Sequence, residues 1–445
     1  MSEHVTILGA GLAGSLMAIL LARRGIKVRV LERRPDPRVH RLSAGRSINL
    51  ALADRGIHAL KSAGVYEAIE SLLIPMPGRM LHDLNGQTQF VSYGQQPHEV
   101  IYSISRPGLN EVLLDIAERL PSVQLCFDQA CTGIDFAAGT LTLTDHAENF
   151  TRLIAADGAQ SVARHALLQT HAAQATEDFL PHGYKELTLP AIDGRHQMHR
   201  HALHLWPRGG FMLIALPNLD GTFTLTLFLA FASDDVDQPS FANLKDAAGI
   251  QAFFKQHFPD VVSLMPELAE EFSHHPTGKM VTVRSDTWTN SRNAVVIGDA
   301  AHAIVPFHGQ GMNCAFEDCV ELDALLQQHE FGVACKVFEQ QRLPNANAIA
   351  DMALENYVEM RATVRDPKFL LQKELSFELE RRFPDRFIPR YSMVMFHHEI
   401  PYAIAYQRGR VQTQILDELT RDARSFEQID LQQAEDKIKS RLTML

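Results

Sequence analysis

The sequence predicts an α/β protein: a Rossmann-like dinucleotide-binding domain, an antiparallel β-sheet substrate domain inserted into it, and a C-terminal helical region. Three observations predict this. A glycine loop joins an apolar strand to a helix at the N-terminus, strict apolar/polar alternation runs through the middle of the chain, and a further apolar strand at Ala294 resumes the first pattern before helical periodicity takes over.

The first strand ends at Leu8 and runs into Gly9-Ala10-Gly11-Leu12-Ala13-Gly14, a G-x-G-x-x-G loop that opens a helix reaching about Arg24. Those glycines permit a tight turn and the close approach of a pyrophosphate to the helix N-terminus. The strand from Lys27 to Leu31 ends at Glu32, which is placed to accept hydrogen bonds from an adenosine ribose. A Pro-, Arg- and Ser-rich loop, short helices and a strand-like segment from Met76 to Ile104 follow. A second βαβ-like passage closes with the strand Leu153 to Ala156, directly before Asp157-Gly158-Ala159-Gln160-Ser161-Val162-Ala163-Arg164.

From about Thr176 to Val283 the pattern is that of antiparallel β structure. Phe223, Leu225, Leu227 and Leu229 share one face; Thr222, Thr224, Thr226 and Phe228 share the other. Phe228, an aromatic on an otherwise polar face, either meets solvent or floors a ligand pocket. The strand Ala294 to Ile297 then runs into Gly298 and Asp299, an amphipathic helix extends through about Gln327, and helical patterns continue almost to the C-terminus. The expected domains are residues 1–75, 105–175 and 285–330 for dinucleotide binding, 76–104 and 176–284 for the β-sheet substrate domain, and 331–445 for helices that cover the substrate pocket.

Composition excludes several function classes. Asp plus Glu exceed Lys plus Arg by 53 to 42, and a net charge of −11 argues against a nucleic-acid partner, which would need a basic face. No apolar run approaches the ~18 residues of a membrane span, and the opening Met-Ser-Glu-His does not begin a signal peptide. A cytoplasmic protein without membrane association is expected. Five cysteines, an odd number, do not suggest a disulfide framework, and no metal site is expected. Cys126 and Cys131 have the C-x₄-C spacing of redox pairs, but Val123, Leu125 and Phe127 alternate with polar neighbours as in a half-buried strand, with Cys131 beyond its end.

The motif after Ala156, D-G-x-x-S-x-x-R, resembles the DG motif of flavoprotein aromatic hydroxylases. Val295-Val296-Ile297-Gly298-Asp299-Ala300-Ala301-His302 looks like their GD motif, in which the Asp contacts the FAD ribityl chain. It leads through Pro306-Phe307-His308-Gly309-Gln310-Gly311-Met312-Asn313 to a helix N-terminus suited to a flavin that becomes anionic on reduction. No second G-x-G-x-x-G is present. Trp206 and Trp288, the only tryptophans, are too far apart for the W-x-W-x-I-P signature of flavin-dependent halogenases.

Further stretches resemble the kynurenine 3-monooxygenases and span nearly the whole chain: Gly45 to Leu52, Pro181 to Leu187, His204 to Pro207, Ile214 to Asn218, Pro306 to Asn313, Glu355 to Met360 and Pro389 to Met393. The resemblance implies a hydroxybenzoate-hydroxylase-like FAD-binding fold, with NADPH and O2 as co-substrates. It implies hydroxylation of L-kynurenine at ring carbon 3, within tryptophan catabolism. The substrate's own amino group activates that carbon, so no protein base is obligatory; His308 is a candidate acid or base but fits a pocket wall better.

The resemblance also implies a residue set. For substrate these are Arg79 on the carboxylate, Tyr93 and Tyr391 as hydroxyl donors, Asn356 with Glu359 and Met360 on its helix face, and Ile214, Leu216, Phe228, Pro306, Phe307 and His308 as an aromatic slot. For the cofactor they are Gly9, Gly11, Leu12, Ala13, Gly14, Leu31, Glu32, Arg33, Arg34, Ala51, Arg106, Cys131, Asp157, Asp299, Gly311, Met312 and Asn313. The segment Lys437 to Leu445 is polar, unlike the hydrophobic anchor of the animal enzymes, which implies a soluble bacterial-type version, monomeric or homodimeric. A related anthranilate- or salicylate-like acid as substrate, and a flavin- or nucleotide-binding sensor without turnover, are the competing readings.

Overall fold

A computed structural model describes residues 4–40, 49–171, 173–235, 238–363 and 366–445. Part of one stretch named above, Gly45 to Ile48, lies outside the described residues.

The N-terminal half-motif folds because its strands bury apolar residues on both faces, Val5, Ile7 and Leu8 in the first and Val28, Val30 and Leu31 in the second, as parallel strands covered on both sides do. His4–Leu8 sits at the centre of a five-stranded parallel sheet ordered Ala294–Val296, Arg152–Ala155, His4–Leu8, Lys27–Leu31, Val123–Cys126. The helix Leu12–Arg23 packs on it with Leu16, Met17, Ile19 and Leu21 fully buried, and the helices Arg106–Glu118 and Gly311–Gln328 close around the same core. The strand at Ala294 therefore completes a sheet begun at the N-terminus.

A seven-stranded sheet is ordered Gly278–Ser285, Ala175–Leu189, Phe223–Ala230, Met212–Pro217, Leu203–Pro207, Gly78–His82, Thr88–Ser92. It departs from the expected all-antiparallel pattern at one place: Gly78–His82 runs parallel to Leu203–Pro207, with Arg79 opposite Leu203. Ile101–Ser105 does not join it, pairing instead with Asn49–Leu52 and Ile74–Met76 in a small sheet beside the dinucleotide domain. The alternation at 223–229 separates the two faces as read. Phe223, Leu225, Leu227 and Leu229 pack under three helices, Ala247–His257, Pro259–Val262 and Leu268–His274, which interrupt the region expected to be β throughout. Phe228, on the opposite face, is buried against Phe307 with ring centroids 4.9 Å apart.

Beyond the helix Phe331–Val358 the chain forms a π-helical turn, Glu359–Thr363, and then the helices Pro367–Arg382, Arg390–Phe396, Tyr402–Leu419 and Leu431–Arg441. Arg55, fully buried, anchors this region. Its guanidinium donates to the carbonyls of Val394, His397, His398 and Ile400, pairs with Glu317 at 2.6 Å and lies over the Tyr402 ring. Among the described residues no helix is long and apolar enough to cross a membrane.

Candidate active site

Local sequence shapes the glycine loop. Gly9 has φ +93°, and a Cβ there would lie 2.4 Å from the Ala156 carbonyl oxygen; one on Gly14 would lie 1.9 Å from the Gly9 carbonyl oxygen. These two glycines therefore let loop, helix and neighbouring strand touch. At Gly11 a Cβ would meet nothing within 4 Å, and no side chain caps the helix that begins at Leu12. The free N–H groups of its first turn face a cavity lined by Gly11, Leu12 and Ala13. Glu32, buried, accepts from the Ala10 N–H at 2.8 Å and from the Arg34 side chain at 2.7 Å, fixing the end of the second strand to the loop.

The cavity, about 290 Å³, continues past Ala51, Arg106, Ala156, Gly158 and Asp299 to Gly309, Gly311 and Met312. Here a second helix N-terminus, that of Gly311–Gln328, also lacks a side-chain cap. Asp299 is exposed into the cavity, and the loop that carries it is held from behind. Asp318 accepts from the Gly298 N–H at 3.0 Å, contacts His302 at 2.6 Å and pairs with Arg342 at 2.8 Å. Burial alone would raise the Asp318 carboxyl, but His302 and Arg342 hold it below the usual carboxylate range. Two uncapped helix ends facing one cavity, with a carboxylate between them, fit a dinucleotide-linked flavin: the pyrophosphate at the first, the anionic pole of the ring at the second.

Several expected cofactor residues stand behind this wall. Asp157 caps the helix Val162–His171, accepting from the Ser161 hydroxyl at 2.6 Å and the Val162 N–H at 2.8 Å. Arg164 of the same motif reaches the Ala300 carbonyl at 2.8 Å, tying the DG segment to the GD segment. The Asn313 side chain is committed to backbone, accepting from Ala53 and donating to Ala51 and Gly309, so it shapes the wall at Ala51. Leu31 points into the core and offers its carbonyl to the Gly9 N–H; Arg33 is exposed. Cys131 opens the strand Cys131–Asp135, its Sγ on the Gly133 carbonyl. Burial pushes its thiol up to about 11, against a reactive thiolate.

At its far end the cavity becomes an apolar slot of Ile214, Leu216, Phe228, Pro306, Phe307 and Met360, closed by Arg79, Tyr93, His308 and Tyr391. Tyr391 is stacked between Tyr93 at 5.4 Å and His308 at 5.5 Å, and the Arg79 guanidinium lies about equally far from both tyrosine rings, 5.3 Å and 5.2 Å. Burial opposes the Arg79 charge, but Tyr391, Tyr93 and Glu359 more than offset it, and the group is held protonated; burial raises both tyrosines, which stay neutral donors. Behind this wall lies a second chamber that also reaches Asn356, Glu359, Lys373 and Ser392. Asn356 donates to the Phe307 carbonyl at 2.6 Å, which fixes the slot's aromatic wall. Arg79 Nε, His308 Nδ1 and Ser392 Oγ are buried without a hydrogen-bond partner; all three residues line this second chamber, and Arg79 and His308 also line the end of the slot.

The sequence carries no local signal for Leu203, Met212 and Met395, which also line the slot, nor for Lys373 in the chamber behind it. They arrive from distant elements whose own patterns are explained by packing.

Burial, with Arg390 and Arg79, pushes the His308 imidazole down to about 3. It is therefore neutral at physiological pH and poorly suited to donate a proton. Because free histidine titrates near ~6.5, the unfolded chain binds this proton first, so stability should fall as pH drops from about 6.5 toward about 3. Thermal melts across that range should show the slope, and His308→Gln should flatten it. The variant should also keep kcat within about tenfold, with no new ionisation from about pH 6 to about pH 8. A kcat that collapses with a lost ionisation would make His308 a catalytic residue.

A family model described as an FAD binding domain matches residues 2–353. The chain is 46% identical over 449 residues to a kynurenine 3-monooxygenase of Myxococcus xanthus, covering 99% of this chain and 96% of that one. It is 47% identical over 454 residues to one of Stenotrophomonas maltophilia, covering 100% and 98%. Among solved structures, 2-methyl-3-hydroxypyridine-5-carboxylic acid oxygenase superposes with a TM-score of 0.66 at 19% identity, covering 83% of this chain and 95% of that chain. A probable FAD-dependent monooxygenase from Pseudomonas aeruginosa does so with 0.64 at 17%, covering 81% and 97%; these two likenesses speak for the fold. A dinucleotide-type glycine loop and an aromatic slot closed by a half-buried arginine agree with what these relatives establish along the whole chain: it belongs to the kynurenine 3-monooxygenase family of FAD-dependent aromatic hydroxylases.

Proposed function

We propose that this chain converts L-kynurenine to 3-hydroxy-L-kynurenine with FAD, NADPH and O2, in the residue roles that follow. The observation that carries the reading is the slot itself: apolar walls for an aromatic ring, ended by one protonated arginine and two neutral tyrosine hydroxyls for a carboxylate.

Bound along the cavity, FAD supplies the hydride acceptance and oxygen activation that side chains lack. Arg79 binds the substrate carboxylate as a fork, with Tyr93 and Tyr391 donating alongside it. That contact fixes how deep the ring enters. Phe228 and Phe307 hold the ring plane, Ile214 and Leu216 fill the remaining width, and Met360 with Pro306 excludes water from the reacting edge. His308, neutral and stacked on Tyr391, orients that tyrosine. The substrate's amino group enriches the carbon beside it, so the protein's task is positioning. A cytoplasmic location and a monomeric or homodimeric state belong to the same reading.

The test is turnover. Enzyme, NADPH and L-kynurenine should consume NADPH and yield 3-hydroxykynurenine by mass spectrometry. Faster flavin reduction with an anthranilate- or salicylate-like acid would move the substrate to that acid, and a yellow protein that NADPH never reduces would make it a sensor.

A further inference from the structure

Behind the seven-stranded sheet, on the side away from the slot, a chain of three hydrogen bonds joins two buried imidazoles to a half-buried carboxylate and to a carbonyl of the exposed His199, groups that the chemistry above does not use. His82 Nδ1 lies 2.7 Å from Asp260 Oδ2, His82 Nε2 lies 2.8 Å from His204 Nδ1, and His204 Nε2 lies 2.8 Å from the His199 carbonyl oxygen. Both imidazoles are at most 4% exposed. The Trp206 indole N–H also donates to Asp260, at 3.0 Å, and its ring stacks on His82 at 4.0 Å.

Counting protons decides the state of this chain. Each of the three bonds needs one hydrogen, and neither a carboxylate nor a carbonyl brings any. Two neutral imidazoles bring one each, which leaves a bond without a proton. A third proton must therefore reside on the chain. Burial would raise the Asp260 carboxyl, but the donors His82 and Trp206 hold it low, so the proton is on a ring. Burial pushes His204 down to about 4, and the Asp260 carboxylate lies 2.7 Å from the other ring, so the third proton sits at the Asp260 end of the chain.

We propose that His82, His204 and Asp260 form a relay that holds a positive charge inside the β-sheet domain and makes His82 a positioning residue for Arg79. This rests on the assignment of Arg79 to the substrate. His82 and Arg79 occupy the same five-residue strand, Gly78–His82, three positions apart and so on opposite faces. That strand meets the rest of the sheet through its parallel pairing with Leu203–Pro207, the strand that carries His204. The relay therefore bolts together, from behind, the two strands whose alignment sets the height of Arg79 in the slot. With the third proton gone, two nitrogen lone pairs would face each other across 2.8 Å and the bolt would open. The charged and titratable groups facing it are Asp260, His204 and His199; Arg208 holds the strand end through the His82 and Asp83 carbonyls.

The test uses full-length, flavin-loaded enzyme. With isotope-labelled histidine at about pH 7, nitrogen-detected NMR should show one ring protonated on both nitrogens, and His82→Gln should remove that signal. Asp260→Asn keeps the shape but removes the balancing charge. It should raise the KM for L-kynurenine about fivefold or more while kcat stays within about twofold and the flavin spectrum is unchanged. In the unsubstituted enzyme KM should climb on the alkaline side, and in Asp260→Asn the climb should start at lower pH. Two singly protonated rings at His82 and His204, or an Asp260→Asn enzyme with the original KM profile, overturns the proposal. An unsubstituted enzyme that never turns over kynurenine overturns the functional reading, and the NMR signature then decides the relay alone.

Discussion

Replacing Arg79 with alanine is expected to raise the KM and Kd for L-kynurenine about 30-fold while FAD stays bound, since a hydrogen bond to a charged group contributes on the order of 2 kcal/mol and each ~1.4 kcal/mol is tenfold. The expectation follows from what surrounds the guanidinium. Among the described residues that close the apolar slot no other is a cation, the two tyrosines beside it are neutral, and Nε has no partner among them to lose. Alanine leaves the carboxylate facing two hydroxyls and an imidazole held neutral. Arg79→Lys keeps the charge without the planar fork and should recover only part of the affinity. Kynurenine titrations of flavin fluorescence, with steady-state NADPH consumption, measure both. An unchanged affinity in the alanine variant would remove Arg79 from the substrate site.

The second large effect is expected at Gly14. An alanine Cβ would sit 1.9 Å from the Gly9 carbonyl oxygen, a backbone atom, so the helix Leu12–Arg23 must move off the loop. Overpacking of that kind costs about 1–3 kcal/mol, and here the displacement falls on the turn that presents the first helical N–H groups. Flavin affinity should drop roughly tenfold to a hundredfold, read as absorbance per mole of purified protein. Gly11→Ala is the informative partner. Its Cβ has open space in the protein itself, so the variant should fold normally and lose flavin only because the added methyl occupies the room a pyrophosphate needs. A Gly11→Ala protein with full flavin content would place the phosphates elsewhere.

Much of the dinucleotide half was legible because its determinants are local. Strand, glycine loop, helix and Glu32 lie within the first 32 residues, and each has its own chemistry. Period-two alternation likewise set Phe228 apart from Phe223, Leu225 and Leu227, and the structure puts it on the cavity side. The three helices after Asp246 were missed although a signal existed: Asp246 caps the first of them by accepting from the Gly249 N–H, just before the apolar positions Ile250, Phe253 and Phe254. Other features have no local trace. The Gly78–His82 strand joins Leu203–Pro207 across more than a hundred residues, and nothing in either segment names the other. Asp157 and Asn313 show the reverse difficulty. Their motifs are visible, but whether a polar side chain faces a ligand or the backbone behind it depends on packing that no spacing records.

The strand order of the parallel sheet bears on how the protein is made. Its outermost strand, Ala294–Val296, docks beside Arg152–Ala155 only after the entire β-sheet domain has been translated. The cavity's second helix end, at Gly311, comes later still. A nascent chain therefore exposes an unfinished sheet edge and half a nucleotide cradle while more than a hundred intervening residues leave the ribosome. The full cradle belongs to the last third of synthesis, and a chain terminated before Ala294 carries an open sheet edge and only the first of the two helix ends.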